Sequence, residues 1–312
     1  MKIHGLCVVK NERDIIEQML RSAAQWCDHI YVLDNGSDDG TWELVQQLSR
    51  ELTAVRPFKQ DPKPFTDSIR DDILLAYKAQ ARPGDWWCIL DADEFYIDEP
   101  RAFLKAVPRS DRAVYRQTYS YLFTDKDLER YREDPEAYGD AVPVEQKLRY
   151  YAVGEYTELR FFRHSRALKR VPMAGCFPIH PRRIRLRHYA YRSPGQIATR
   201  MAVRHAAMLR GEFVHEKKSN WSEQGVAPAG AALECDIPQS WEERVVSHVG
   251  CHYDALDGVY ADGVDWTPPH APGWTVRIAK RADRIARRAF SAPKRALARL
   301  AVAFAPASPT KA

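Results

Sequence analysis

His29-Ile30-Tyr31-Val32-Leu33 runs directly into Asp34-Asn35-Gly36-Ser37-Asp38-Asp39-Gly40, and Thr41 then opens a stretch with Leu44, Val45 and Leu48 at helical spacing. A short apolar run ending in turn formers predicts a buried strand, and the apolar recurrence after it predicts a helix. Thr41 is the expected cap of that helix. The same unit repeats on both sides. Upstream, residues 2–9 read as a strand, Lys10-Asn11-Glu12 as a turn, and residues 13–26 as a helix with Ile15, Ile16, Met19, Leu20 and Ala23 on one face. Downstream, residues 53–58 read as a strand and 67–79 as a helix; residues 86–90 form a fourth strand after the turn Arg82-Pro83-Gly84-Asp85. Strands alternating with helices predict a mostly parallel sheet covered on both faces. Such sheets bind ligands beyond the carboxyl ends of their strands. Polar residues stand at three of those ends: Asn11-Glu12, Asp34-Asn35 and Asp91-Ala92-Asp93-Glu94.

Past residue 111 the alternation decays. Residues 115–123 predict an aromatic-rich strand, 124–146 a polar irregular stretch, and 159–162, 168–171 and 184–189 short strands. A helix is expected over 193–210, a loop over 219–238 and a linker over 267–273.

With 312 residues, 45% hydrophobic and 29% charged, the chain has the composition of a folded globular enzyme and is long enough to bury a large core. Its net charge of +5 is unevenly placed: residues 275–312 carry ten Lys/Arg against Asp283, a +9 that leaves the rest at −4. The basic balance therefore belongs to the tail and excludes reading the whole chain as a nucleic-acid binder. Trp274, Ile278, Ile285 and Phe290 among the tail's arginines predict a basic amphipathic segment suited to an anionic membrane surface. No secretory leader and no run of about 20 apolar residues is apparent, so a cytoplasmic protein is expected, with peripheral contact at the inner face of the cell membrane through the tail. The six cysteines show no metal-binding or disulfide spacing.

Asp91 and Asp93 are two apart, so an extended backbone turns both carboxylates to one side. Hard cations such as Mn²⁺ or Mg²⁺ take oxygen ligands and share them with substrate phosphates. A metal there would neutralise charge on a diphosphate leaving group.

Four motifs in this order resemble family 2-type glycosyltransferases of the GT-A fold, in the branch with a DxDE-F element. They are Val8-Val9-Lys10-Asn11-Glu12, residues 33–41 from Leu33 to Thr41, Leu90-Asp91-Ala92-Asp93-Glu94-Phe95, and His188-Tyr189-Ala190-Tyr191-Arg192-Ser193 followed by Gln196 and Arg200. The resemblance covers residues 1–210. It implies an α/β, Rossmann-like mixed sheet flanked by helices, with residues 1–110 as the nucleotide-binding half and 111–210 as the acceptor and metal half. Residues 211–274 would be a helical or loop extension before the tail. It further implies transfer of a sugar, with inversion, from a nucleotide-sugar donor, UDP-linked by expectation, to a glycan or lipid-linked glycan.

By the same resemblance Glu12, Asp34, Arg70 and Asp91 contact the nucleotide. Asp91, Asp93 and His188 hold the Mn²⁺ or Mg²⁺, and His180 and Arg192 contact donor or acceptor. His180 is followed by Pro181 where relatives often carry Glu. Of the acids Asp140, Glu145, Glu155 and Glu158, Glu158 is the preferred general base. Two other readings share these carboxylates: a metal-dependent nucleotidyltransferase, and a non-catalytic protein that binds nucleotide or glycan.

Overall fold

A computed structural model describes residues 1–66, 68–154, 157–173, 176–209 and 240–268. The expected loop at 219–238 and the basic tail at 275–312 lie outside the described residues. The first half follows the strand–helix alternation: β1 (Ile3–Val9), α1 (Arg13–Ala23), β2 (His29–Asp34), α2 (Thr41–Glu51), β3 (Val55–Gln60), α3 (Ile69–Tyr77) and β4 (Trp86–Leu90). β1 pairs in parallel with β2 and β4, and β2 pairs in parallel with β3. This gives a parallel sheet ordered β4-β1-β2-β3.

Helices cover both faces because the strand side chains alternate between two apolar clusters. Cys7, Ile30 and Val32 pack with Ile15, Ile16, Met19 and Leu20 of α1 and Val45 and Leu48 of α2. Leu6, Tyr31 and Leu33 pack on the other side with Ile69, Ile73 and Leu74 of α3. Thr41 does not cap α2. The cap position belongs to Gly40 at φ 89, and the Thr41 hydroxyl instead accepts from the Glu12 amide while Asp39 accepts from the Thr41 amide.

The second half is antiparallel-rich. After β5 (Glu94–Tyr96) and α4 (Pro100–Ala106) come β6 (Ala113–Tyr121), β7 (Tyr150–Val153), β8 (Leu159–Arg163) and β9 (Ile184–His188), then α7 (Pro194–Leu209). β8 joins β4 to β6, antiparallel to both; β9 lies parallel to β6 and antiparallel to β5. The result is an α/β fold, a mixed sheet flanked by helices, as the GT-A-like reading expects.

Residues 124–146 are not irregular throughout: they hold α5 (Asp125–Glu133) and α6 (Val144–Lys147). Residues 168–171 form no strand, because the Val171 amide donates to the Asp71 carboxylate instead of to a ladder. Of the region expected as an extension from residue 211, the described part packs onto the main body. Within it, β10 (His252–Tyr253) adds a strand beside β7, and the Asp254 carboxylate accepts from the Tyr121 hydroxyl.

Candidate active site

The loops after β1 and β2 are tied to each other. Asn11 sits in the left-handed region at φ 54, a conformation that asparagine tolerates better than most residues. Its side-chain amide donates to the Asp38 carboxylate at 2.8 Å and accepts from the Asp38 amide at 3.0 Å. Gly36, at φ 79, allows Pro62 to close in: a β-carbon there would lie 2.6 Å from the Pro62 ring. These constraints shape a cavity of about 530 Å³ beyond the ends of β1 and β2. Its walls are Val8 to Glu12, Asn35, Pro62 to Phe65, and Gln196, Arg200, Val203, Arg204 and Ala207 of α7.

A second cavity, about 610 Å³, lies beyond the end of β4 and shares Val8, Glu12, Phe65, Arg200 and Arg204 with the first. It holds Arg70, Asp91, Asp93, Glu94, Arg116, Glu158, Arg160 and His188. Register explains how distant residues meet here. The β5–β9 pairing sets His188 opposite Glu94, and the Tyr189 amide donates to the Asp93 carbonyl at 2.8 Å. His188 Nε2 thereby comes to 3.5 Å from Asp93 Oδ2.

The charges form two networks. In the first, Arg70 donates to Asp91 Oδ1 at 2.5 Å and Arg160 donates to Asp91 Oδ2 at 3.0 Å. Buried Glu94 anchors this network by accepting from both Arg116 and Arg160 through Oε1, and Glu158 Oε2 faces the same two guanidiniums at 2.9 and 3.2 Å. In the second, Arg192 is fully buried and donates to Asp14 at 2.8 Å, to Glu12 at 2.6 Å and to the Tyr189 carbonyl at 2.9 Å. Arg200 Nη1 bridges Glu12 Oε1 at 3.2 Å and Asp93 Oδ2 at 3.3 Å.

These neighbours shift the carboxyls in opposite directions. Burial works against charge on Asp93, but His188, Arg200 and Arg192 outweigh it and hold the carboxyl well below the usual range. Burial likewise opposes charge on Asp91, and Arg70 and Arg160 overcome it. For Glu12 burial wins, reinforced by Asp93 against Arg192 and Arg200, and the carboxyl is pushed up.

The structure brings together Glu12, Arg70, Asp91, Asp93, Glu158 and His188 of the residues singled out in the sequence. Of the other expected ligand contacts, Asp34, Arg192 and His180 line neither cavity, and neither do the candidate bases Asp140 and Glu145. Asp34 is fully buried, its Oδ1 accepting from the Gly36 and Ser37 amides and from Gln60, and its neighbour Asn35 faces the cavity instead. Arg192 is spent on Asp14 and Glu12. His180 pairs with Asp111 at 2.8 Å beside the Phe103 ring. Arg116 and Glu94 acquire their place only through strand pairing, and no local motif marks Arg116.

Asp93 and His188 suit a hard cation. Two ligands about 2.1 Å from one ion stand at most about 4.2 Å apart, and such ions fill the remaining positions with water and phosphate. Asp91, the third acid expected at the metal, turns Oδ1 to Arg70 and Oδ2 to Arg160. Among the described residues no three His, Cys, Asp or Glu side chains form a ready metal cluster. Nor, among the same residues, is any helix long and apolar enough to cross a membrane.

No protein-family model matches the sequence, and no curated protein does. Solved structures give distant likenesses. S. aureus TarS 1–349 is 12% identical with a TM-score of 0.35, over 67% of this chain and 66% of that one. The same TarS segment in complex with UDP is 16% identical with a TM-score of 0.30, over 39% and 36%. The mannosyltransferase PcManGT from Pyrobaculum calidifontis, in complex with GDP-Man and Mn²⁺, is 15% identical with a TM-score of 0.30, over 42% and 37%. In each case the chain spans less than two thirds of the neighbour's length. Likenesses this distant assign neither substrate nor residue roles.

Proposed function

We propose that the protein is a glycosyltransferase that moves a sugar from a nucleotide-sugar donor to a hydroxyl of a glycan or lipid-linked glycan. The observation that carries this reading is the pair of joined cavities at the carboxyl ends of β1, β2 and β4. The first has apolar walls from Val8, Val9, Pro62, Pro64 and Phe65 with a few polar groups, and suits a nucleoside. The second is charged and suits a diphosphate and sugar. Arg200 and Arg204 stand at the junction, where a diphosphate linking the two halves of the donor would lie.

In the transfer the acceptor oxygen forms a bond to the anomeric carbon while the bond from that carbon to the diphosphate oxygen breaks. The nucleoside diphosphate leaves with the electron pair. The hydroxyl proton passes to a carboxylate, for which Glu158 is the candidate, half-exposed on the wall of the charged cavity. Asp93 and His188 would hold Mn²⁺ or Mg²⁺, which supplies positive charge to the departing diphosphate. Arg70 and Arg160 fix Asp91 at the cavity wall. Inversion and UDP as carrier belong to the same proposal, as does peripheral membrane contact through residues 275–312.

The test is product analysis with a panel of UDP-, GDP- and dTDP-sugars and Mn²⁺. Sugar-dependent release of a nucleoside diphosphate, lost in Asp93→Ala, is expected. Release of pyrophosphate would move the protein to the nucleotidyltransferases, and donor binding without turnover of any donor would make it a non-catalytic binder.

A further inference from the structure

We infer that Arg200 is a resident counter-ion that holds the cation position beside Asp93 and exchanges it for a divalent metal when a diphosphate arrives. This rests on the glycosyltransferase reading above and adds a coupling between its two ligands.

Arg200 and Arg192 both serve the acids at this point, and they are built differently. Arg192 is fully buried and makes three hydrogen bonds to carboxylates, through Nε to Asp14 and through Nη2 to Asp14 and Glu12, and a fourth through Nη1 to the Tyr189 carbonyl. It has no freedom to leave. Arg200 uses one nitrogen, Nη1, for both Glu12 and Asp93, at 3.2 and 3.3 Å. Strong charge-assisted bonds run about 2.7–2.9 Å, so both contacts are loose. The guanidinium lies 5.7 Å from the centre of the Tyr191 ring and belongs to the walls of both cavities. It therefore borders both the acids and the junction of the two cavities.

The competition is for one atom. Asp93 Oδ2 is the oxygen that faces both Arg200 Nη1 and, at 3.5 Å, His188 Nε2. A divalent ion bound by Asp93 and His188 cannot share that oxygen with a guanidinium at 3.3 Å without strong like-charge repulsion. Before substrate arrives, Arg200 satisfies the carboxylate and disfavours the metal. A diphosphate at the junction offers Arg200 a better, bidentate partner and offers the metal additional oxygen ligands. Arg200 then makes metal binding depend on the diphosphate. By linkage, the factor by which diphosphate tightens metal binding equals the factor by which metal tightens diphosphate binding.

The experiment measures Mn²⁺ affinity by electron paramagnetic resonance of the full chain, without nucleotide and with saturating UDP or GDP. Variants are Arg200→Gln, Arg200→Lys and Asp93→Asn, each checked for folding by circular dichroism. Arg200→Gln is expected to bind Mn²⁺ about tenfold tighter than the wild type without nucleotide, and to show a smaller nucleotide-induced gain. Arg200→Lys, which keeps the charge, is expected to stay close to the wild type, and it carries the comparison if the glutamine variant is unstable: a lysine variant that binds Mn²⁺ tenfold tighter than the wild type refutes the charge argument. Unchanged or weaker Mn²⁺ binding in Arg200→Gln overturns the exchange. If Mn²⁺ binding is lost in Asp93→Asn yet insensitive to Arg200, only this inference fails. If no form binds Mn²⁺ with or without nucleotide, the metal-dependent reading fails with it.

Discussion

His188 and Asp93 are 95 residues apart in sequence and face each other at 3.5 Å because β9 pairs with β5 in a register that sets His188 opposite Glu94. With Arg200 and Arg192, His188 holds the Asp93 carboxyl well below its ordinary value despite burial.

The acid limb of stability follows from that shift. A carboxyl whose pKa is lower in the folded state contributes stability above the unfolded value, near 3.8, and loses it as pH falls through the folded value. Asp93→Asn lacks this contribution. Thermal melts of both proteins from pH 6 to pH 2 are expected to show a stability gap that is constant above about pH 5 and narrows below about pH 4. A gap unchanged down to pH 2 contradicts the assignment.

Glu12 carries the opposite sign. Burial and the nearby Asp93 raise its carboxyl, so its charge opposes folding above the unfolded value of 4.5, and that penalty disappears as pH falls toward 4.5. Glu12→Gln is expected to melt a few degrees higher than the wild type at pH 7, on the order of 1 kcal/mol, and close to it at pH 4. Donor binding should weaken, since Glu12 lines both cavities. A variant less stable than the wild type at pH 7 would show that the Arg192 and Arg200 bonds outweigh the burial cost.

The parallel half was legible because its helices and strands have clean periods: Ile15, Ile16, Met19 and Leu20 are the buried face of α1. The rest was hidden for physical reasons. α5 has charged residues at seven of its nine positions, and it is held by a capping box in which Thr124 and Asp127 bond reciprocally. That Thr-x-x-Asp spacing was the available signal. Asp34 stood out as an acid at a strand end, yet the same position suits a side chain that closes the turn onto Gly36 and Ser37. The Glu94–Arg116–Arg160 cluster joins β5, β6 and β8, and no local pattern encodes a contact between residues 66 positions apart.

That cluster separates buried from exposed charge. Glu94 is 3% exposed at its side chain and Glu158 is 54% exposed, although both face Arg116 and Arg160. Glu94→Ala strands two guanidiniums in the interior and is expected to cost about 3–5 kcal/mol. Glu158→Ala removes a solvated ion pair and should cost under about 1 kcal/mol. Urea unfolding of the two variants decides the point, and equal costs would mean that Arg116 and Arg160 find water or Asp91 when Glu94 is gone.

Glu158 is therefore the residue at which chemistry and folding can be told apart. Its small structural cost means that a loss of turnover in Glu158→Gln reports on the reaction. As the general base it would act only when the acceptor proton moves, so kcat is expected to fall about 100-fold or more while donor affinity stays within about twofold. If Glu158 only steadies Arg116 and Arg160 against the donor, donor KM rises and kcat is little affected. Steady-state kinetics with donor and acceptor varied separately distinguish the two. A kcat within about threefold of the wild type would remove Glu158 as the base. It would leave the transfer to a carboxylate of another element, or to one brought by the acceptor itself.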